Sequence, residues 1–274
     1  MKFRKIFTKT IIGVIIAIAL IWTLFAIFYL LIISFAGEGA LPTRLEIPKR
    51  LTLDNWQTLL WGETSIWPYM INSLIIATVT ITLTLLISLP AAYHISRFSN
   101  KLNRSIFVLL LFFRMIPYIS LVIPIFFLLK RYVLLGTRLG VSLSHLIYTV
   151  PISVWLMKGY FDLLTKEIEE AALVDGASRF QAFLRISLPL SGPGIAVAAM
   201  FAFVLSYTEY LFAVIITRQP TFPVSVRLTA YLGVHETYWR HMACASIIST
   251  IPMIVVFIFL QKRFAESFTM GAVK

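Results

Sequence analysis

The stretch Ile11–Ile33, IIGVIIAIALIWTLFAIFYLLII, runs for 23 residues without a charged side chain. A helix of about 20 mostly apolar residues crosses the hydrocarbon core of a bilayer, so this stretch predicts a transmembrane helix. The preceding segment Met1–Lys9 is basic, and a cleaved secretory signal would have a shorter apolar region of about 7–15 residues. We therefore expect a retained first span, with cleavage near Ser34–Gly37 as the alternative.

The composition of the 274-residue chain excludes an ordinary soluble protein. Hydrophobic residues make up 59% of the chain and charged residues 13%, whereas soluble domains carry roughly a quarter charged residues. The net charge of +12 would suit either a nucleic-acid partner or a membrane protein with basic cytoplasmic loops. The mean hydropathy of +0.88 favours the membrane, so we expect membrane lipid and no nucleic acid among the partners.

Further apolar stretches predict an all-α, polytopic membrane protein with six transmembrane helices. The additional spans are predicted at Ile71–Ile95, Ile106–Leu129, Val141–Tyr160, Leu190–Ile216 and Ala243–Leu260. Lys and Arg are more frequent on the set of loops that includes both termini, and an excess of these residues marks the cytoplasmic side. Both termini are therefore predicted to be cytoplasmic.

We expect a single membrane domain over residues 1–274. Its parts are an N-terminal cytoplasmic segment with the first helix (1–35), an external loop (36–70), core helices two to six (71–262) and a cytoplasmic tail (263–274). Within the external loop, the amphipathic run Leu53–Trp61 predicts a short helix.

The cytoplasmic loop 161–189, between the fourth and fifth spans, contains two predicted short helices. Good helix formers continue from Lys166 to Leu173, and Asp175-Gly176 is a typical helix stop. Ser178 is suited to cap the second helix.

The second helix of this loop presents an apolar face. Phe180, Phe183 and Leu184 share that face at i, i+3 and i+4, and Pro189 is expected to break the helix at the membrane. Helices this short need packing to persist. The loop therefore predicts either a partner protein or an amphipathic elbow that rests on the membrane surface.

The same loop carries a spaced motif, which consists of Glu170, Ala171, Ala172, Gly176, Ile186, Leu188 and Pro189. This motif resembles the loop signature of ABC importer permeases. The resemblance extends from about Asn72 to the C-terminus and is strongest to the carbohydrate-uptake branch, in particular to the second permease subunit of maltose-type transporters. Supporting segments are Asn72–Leu74, Ala91–Tyr93, Met115–Pro117, Val122–Pro124 and Gly271–Lys274.

The resemblance implies a type I ABC importer permease fold and a non-catalytic, multi-pass subunit of the bacterial cell inner membrane. The implied partners are a second permease subunit in a heterodimer, two copies of a cytoplasmic ABC ATPase and an extracytoplasmic solute-binding protein. The implied substrate is a sugar, polyol or sugar derivative, translocated by alternating access. Because the chain has no GxxxxGK[ST] phosphate loop, we expect no cofactor here and place ATP and Mg on the ATPases.

The resemblance also implies which residues of the loop couple the permease to the ATPase. These residues are Glu170, Ala171, Ala172, Asp175, Gly176 and Phe180. The alanines permit close approach, and the glycine permits a turn that a side chain would obstruct. Glu170 is expected either to pair with a basic residue of the ATPase or to remain a solvated surface glutamate. The tail from Phe264 is expected to reach the ATPases.

Two charges inside predicted spans are candidates for the substrate pathway, because such charges usually face a bundle interior or a water-filled cavity. They are Arg114 in the third span and Glu209 in the fifth, and the alternative is a structural pair between them. Tyr207 and Thr208 are suited to stack on a sugar and to hydrogen-bond with it. Relatives commonly carry Trp-Asn at these two positions, so the sequence departs from the family pattern here. An anionic sugar derivative near Arg114 is a further alternative.

Two other classes of function fit the sequence less well. An ion-coupled secondary carrier that acts alone usually reveals acidic proton relays or internal repeats, and neither is apparent. An intramembrane or metal-dependent enzyme would need a nucleophile–base pair or a His/Glu ligand set. The sequence contains no HExxH motif, and the loose group His235, Glu236 and His241 does not have the spacing of a metal site.

Overall fold

The computed structural model describes the backbone of residues 2–37, 48, 50–98, 100–232 and 238–270, and the side chains of these ranges apart from 2–8 and 264–270. In these ranges the chain is predominantly helical, as predicted, and one isolated antiparallel bridge joins Ala36 to Leu51. The predicted tail motif Gly271–Lys274 and the pair His235 and Glu236 lie outside the described residues.

Four helices contain an apolar stretch long enough to cross a membrane. They are α1 (Lys2–Ser34), α3 (Trp67–Arg97), α6 (Arg138–Leu163) and α13 (Trp239–Met270). These helices correspond to the first, second, fourth and sixth predicted spans. A chain with several such helices is a multi-pass membrane protein.

The remaining helices are shorter and include two bent pairs. They are α2 (Asp54–Trp61), α4 (Lys101–Phe113), α5 (Tyr118–Arg131), α7 (Lys166–Val174), α8 (Arg179–Ala182), a π-helical segment (Phe183–Ser187), α9 (Leu188–Leu190), α10 (Gly192–Thr208), α11 (Leu211–Ile216) and α12 (Val224–Thr229). If each bent pair forms one span, the described chain has up to six spans.

The third predicted span, Ile106–Leu129, is not one continuous helix. It consists of α4 and α5, which are bent by 99°. Pro117 is the N-cap of α5, and a proline both lacks an N–H and disfavours helical geometry in the residue before it. Arg114 therefore lies in the turn between two helices rather than inside a straight span.

The fifth predicted span, Leu190–Ile216, is also interrupted. The helix α10 ends at Thr208, Glu209 has an extended backbone, and α11 begins at Leu211. The interruption coincides with a carboxylate that satisfies the freed N–H groups of α11, as described below.

The expected break at Pro189 is wrong, because the helical backbone continues to Leu190. The π-helical segment precedes this proline, and Leu188 N–H donates to the carbonyl of Phe183. Pro189 is the second residue of α9, which follows the π-helical segment without a gap. The change of direction comes at Ser191, where the chain bends by 77° into α10.

The chain forms two compact units. One contains Met1–Trp67 and Leu228–Ile251. In that unit α2 confirms the short helix predicted over Leu53–Trp61. Its Asn55 donates to the carbonyls of Ser34 and Ala36 at 3.0 and 2.9 Å, which holds the helix to the end of α1.

The other unit contains Pro68–Arg227 and Pro252–Lys274. Its core is centred on α6 and α10, and the backbone of α10 passes close to a side chain of α6: a Cβ atom on Gly194 would lie 2.5 Å from Cγ of Tyr160. Asn72, one of the positions that carry the resemblance, is buried and donates to the carbonyls of Pro220 and Phe222, while its Oδ1 accepts from Arg138 Nε at 2.8 Å. The predicted single membrane domain stays a prediction.

Candidate functional site

The first helix of the loop ends as the sequence predicts. Gly176 has φ +89°, a conformation that L side chains rarely adopt. The N–H of Gly176 donates to Leu173 O at 3.1 Å, and the N–H of Ala177 donates to Ala172 O at 3.0 Å. These two bonds form a Schellman motif, which satisfies carbonyls at the end of α7. A Cβ atom on Gly176 would meet nothing within 4 Å, so the backbone angle, not lack of space, requires the glycine.

The second helix begins at a capping box. Ser178 Oγ accepts from the backbone N–H of Gln181 at 3.2 Å, and Gln181 Oε1 accepts from the N–H of Ser178 at 2.8 Å. Reciprocal bonds of this kind satisfy two N–H groups that a helix start leaves unpaired. The predicted cap is therefore confirmed, and it sets the direction of the chain after Gly176.

The apolar face predicted for the second helix is divided between two roles. Phe183 is 7% exposed, and its ring centroid lies 4.7 Å from that of Tyr93. In contrast, Phe180 is 68% exposed, and Leu184 is exposed as well. One aromatic ring thus anchors the loop to its own unit, whereas the other is accessible for a partner.

Most of the coupling residues predicted in the sequence are exposed. They occupy α7, the turn at Gly176 and the start of α8, where Glu170, Ala171, Asp175, Gly176 and Phe180 are exposed and Ala172 is half-buried. We call this set the coupling surface. The structure brings these residues onto one short helix–turn–helix unit, which an approaching protein can contact at several points at once.

A residue that sequence reasoning missed fixes the inner side of α7. Glu169 is buried, and its carboxylate accepts hydrogen bonds from Arg97, Tyr93 and Ser187. The shortest distance, 2.6 Å, joins Arg97 Nη2 to Glu169 Oε1. The hydroxyls of Tyr93 and Ser187 donate at 2.9 and 2.8 Å. A carboxylate with this many donors can remain ionised while buried.

Arg97 extends the network to the end of α6. Its Nη1 donates to the carbonyl of Phe161 at 2.8 Å, and its Nη2 donates to that of Leu164 at 3.4 Å. We call Arg97, Glu169, Tyr93 and Ser187 the anchor network. It connects α3, α6, α7 and the π-helical segment through charged hydrogen bonds.

The anchor network determines the ionisation of Glu169. Burial alone would raise the pKa of this carboxyl. Hydrogen bonds from Arg97, Ser187 and Tyr93, together with the charge of Arg97, outweigh the effect of burial and hold the pKa of Glu169 below its usual value. The carboxylate of Glu169 is therefore ionised near neutral pH.

The candidate pathway residues lie at the two interruptions described above. Glu209 Oε1 accepts from the N–H of Phe212 at 2.9 Å, and Oε2 accepts from the N–H of Ala213 at 3.1 Å. The same Oε2 lies 3.2 Å from His145 Nε2. The carboxylate of Glu209 thus caps α11 and contacts α6.

A chain of polar side chains continues from Glu209 into the core of the unit. His145 Nδ1 lies 2.8 Å from Ser206 Oγ, and that hydroxyl donates to Thr80 Oγ1 at 3.2 Å. Satisfied polar chains of this kind specify how buried helices pack. Sequence reasoning singled out Glu209 by its charge but did not identify His145 as its partner.

The structural pair between Arg114 and Glu209, considered from the sequence, is not observed. None of the ion pairs within the described ranges includes Arg114, which is exposed. Tyr207 is buried, whereas Thr208 is exposed and its hydroxyl donates to the carbonyl of Val204 at 2.7 Å. Contact of these four residues with a substrate stays a prediction.

Curated relatives match nearly the whole chain. The trehalose/maltose transport system permease protein MalG of Thermococcus litoralis is 36% identical over 261 residues, covering 92% of this chain and 91% of that protein. The diacetylchitobiose uptake system permease protein DasC of Streptomyces coelicolor is 26% identical over 276 residues, covering 99% of each.

Solved structures share the fold. A bacterial ABC transporter involved in the import of the acidic polysaccharide alginate matches with a TM-score of 0.75 and 21% identity, covering 92% of this chain and 94% of that chain. The bacterial alginate transporter in complex with an alginate pentasaccharide-bound periplasmic protein matches with a TM-score of 0.59 and 17% identity, covering 77% and 81%.

A family comparison agrees with both sets of relatives. Residues 84–270 match the family described as binding-protein-dependent transport system inner membrane component. This range includes the anchor network, the coupling surface and both interruptions. The chain therefore belongs to the family of binding-protein-dependent transport system inner membrane components, and its resemblance to ABC importer permeases is confirmed.

Proposed function

We propose that this chain is the permease subunit of an ATP-driven importer for a sugar, polyol or sugar derivative. The observation that carries the proposal is the exposed coupling surface on a loop whose inner side is held by buried charges. Such a loop presents a binding surface outward and transmits force inward. The chain performs no catalysis in this proposal, and partner ATPases bind ATP and Mg.

The substrate class rests on the relatives. Two of them are named for uptake of trehalose/maltose and of diacetylchitobiose. Both are carbohydrates, which supports a neutral or derivatised sugar as the substrate here. The exposed residues Arg114 and Thr208 are proposed to line the route, since a cation and a hydroxyl group suit a hydroxyl-rich or acidic ligand.

The proposed partners follow from the surfaces of the loop and from the family. Two cytoplasmic ATPases, one second permease subunit and one extracytoplasmic solute-binding protein complete the importer. The loop carries the exposed acidic residues Glu167, Glu170 and Asp175, which favours a groove with basic residues on the ATPase. The exposed ring of Phe180 supplies an apolar contact of the kind that anchors protein interfaces.

The topology in the proposal has six spans in the inner membrane of a bacterium, with both termini in the cytoplasm. Counting each bent pair as one span supports the number. The excess of Lys and Arg on alternate loops supports the orientation.

The proposed mechanism transmits ATPase movement through the anchor network. Closure of the ATPases shifts the coupling surface. Because Glu169 is bonded to Arg97, and Arg97 to carbonyls at the end of α6, the ends of α3 and α6 move with the loop. The helices then alternate between inward-facing and outward-facing arrangements.

The experiment is purification of the tagged chain from its own cells in mild detergent, followed by reconstitution in liposomes. We expect an ATPase and a second permease to co-purify, and uptake of the sugar to require the binding protein and ATP. A matched preparation with an inactive ATPase should contain the same co-purified subunits but should not transport the sugar. The alternative, an ion-coupled carrier that acts alone, predicts uptake by the isolated chain without ATP, and that result would overturn the proposal.

A further inference from the structure

A cavity of about 550 Å³ opens at the end of α6 from which the coupling loop emerges. Its walls come from the ends of α3 and α6 and from the first two turns of α4. The lining residues are Ile95, Ser96, Asn100, Asn103, Arg104, Phe107, Val108, Lys158 and Asp162. The volume lies in the range of small-molecule sites, and the lining includes both charged groups and apolar side chains.

The charges that line this cavity leave a net positive charge. Asp162 is already engaged, because Oδ2 accepts from Lys158 Nζ at 2.5 Å and Oδ1 accepts from Ser96 Oγ at 2.6 Å. Arg104 is exposed and takes part in none of the ion pairs found among the described residues. Two cations and one carboxylate thus line the cavity, which complements a ligand with a single negative charge.

A second groove adjoins the cavity along α4. It has a volume of about 400 Å³ and is lined by Arg104, Ser105, Val108, Leu109 and Phe112. These positions form one face of the helix at i, i+1, i+4, i+5 and i+8, and the face extends for about 12 Å. Arg104 and Val108 line both spaces, so the cationic cavity continues into an apolar groove.

We propose that this composite site binds an anionic phospholipid. The phosphate of the headgroup lies between Arg104 and Lys158, and an acyl chain follows Val108, Leu109 and Phe112 along α4. Such lipids surround a membrane protein, and basic pockets between helices at the cytoplasmic side are suited to their headgroups. In the topology proposed above, this end of α3, α4 and α6 lies at that side. Asn100 and Asn103 also line the cavity, where Asn100 Oδ1 accepts from the N–H of Asn103 and Asn103 Nδ2 donates to the carbonyl of Phe98.

The site lies beside the anchor network. Ser96, which donates to Asp162 in the cavity wall, precedes Arg97 in α3. Both sites therefore use the same turn of this helix. A bound headgroup at Arg104 would brace the ends of α3, α4 and α6 where the coupling loop begins.

The test is native mass spectrometry of the full chain, purified in mild detergent with the subunits that accompany it. Phosphatidylglycerol and phosphatidylethanolamine are added in equal amounts. We expect retention of phosphatidylglycerol over phosphatidylethanolamine. Arg104→Gln should weaken phosphatidylglycerol binding about fivefold, the effect of one basic residue near an anionic lipid. The matched control is Lys101→Gln, in the same turn of α4 but outside both cavities, which should bind as wild type does.

Two further arms separate a lipid from other occupants. Inorganic phosphate and glycerophosphoglycerol, which lack acyl chains, should neither displace phosphatidylglycerol nor raise the Tm of the purified protein. Competition by either would mean a soluble anion and would overturn the lipid assignment. Equal binding by the Arg104 and Lys101 variants would overturn it too. The lipid assignment would also fail if the isolated chain retained phosphatidylglycerol but its complex with a second permease did not, because the partner would then occupy the groove. None of these readouts requires transport, so they are independent of the proposed substrate and ATPase.

Discussion

Arg97 and Glu169 form a buried ion pair in which the guanidinium and the carboxylate approach to 2.6 Å. Their side chains are 5% and 10% exposed. The two residues are far apart in sequence, one at the end of α3 and the other in α7. The pair thus fixes α7 to α3 by a contact that water hardly reaches.

Removing one partner of this pair should destabilise the protein. Glu169→Ala leaves the Arg97 cation buried without its carboxylate, and such a loss costs about 3–5 kcal/mol. Thermal unfolding of the purified protein in detergent measures the effect. The adjacent Glu170→Ala is the matched control, because Glu170 is exposed and its loss should change stability by about 0.5 kcal/mol or less. Equal Tm values for the two variants would show that the pair contributes nothing.

The stability from this pair should depend on pH in a defined direction. The pKa of Glu169 is lowered in the folded protein, so its contribution is fully present above the unfolded pKa of about 4.3 and is lost as the pH falls through the lower folded value. The Tm difference between wild type and Glu169→Gln should be constant from about pH 5 to 8 and shrink below about pH 4. A difference that grows as the pH falls would contradict the assigned direction.

Gly176 should tolerate asparagine better than aspartate or a β-branched residue. Its φ of +89° lies where asparagine is the next most accepted residue after glycine. Gly176→Asp adds both strain and a negative charge to the coupling surface, so we expect insertion in the membrane but uncoupling of ATP hydrolysis from uptake. Sugar transported per ATP hydrolysed measures this. If Gly176→Asp transported as much sugar per ATP hydrolysed as wild type does, this turn would not belong to the ATPase contact.

Two phenylalanines one helical turn apart should give opposite phenotypes. Phe183→Ala empties a buried site against Tyr93 and should cost about 3–5 kcal/mol of stability. Phe180→Ala removes an exposed ring, so the Tm should hardly change, whereas co-purification of the ATPase should decrease severalfold. Thermal unfolding and quantitative co-purification of both variants provide the comparison. If Phe180→Ala retained the full amount of ATPase, its ring would not belong to the docking contact.

Local signals predicted the loop well, and distant contacts were the part that sequence could not supply. The stop at Gly176 and the cap at Ser178 depend on neighbours within a few residues, so their patterns are visible in the chain. Glu169 resembled the other loop acids, because its partner Arg97 is fixed only by tertiary packing. Apolar stretches reveal how many residues can cross the membrane but not the direction of the chain within them. The sequence therefore predicts continuous spans where the structure has interruptions at Arg114 and Glu209. Pro117 was the available signal for the first of these.

Glu209 and Arg114 should separate into a structural and a pathway residue. Glu209→Ala removes the cap of α11 and the contact with His145, and loss of a cap costs about 0.5–2 kcal/mol. Its Tm should therefore fall, and Glu209→Asp should recover little because the shorter side chain cannot reach both N–H groups and His145.

Arg114→Gln alters an exposed side chain, so its Tm should stay near wild type, while the KM of reconstituted uptake rises. Unchanged uptake by Arg114→Gln, measured beside its unchanged Tm, would exclude Arg114 from the route and leave the exposed Thr208 as the stronger candidate.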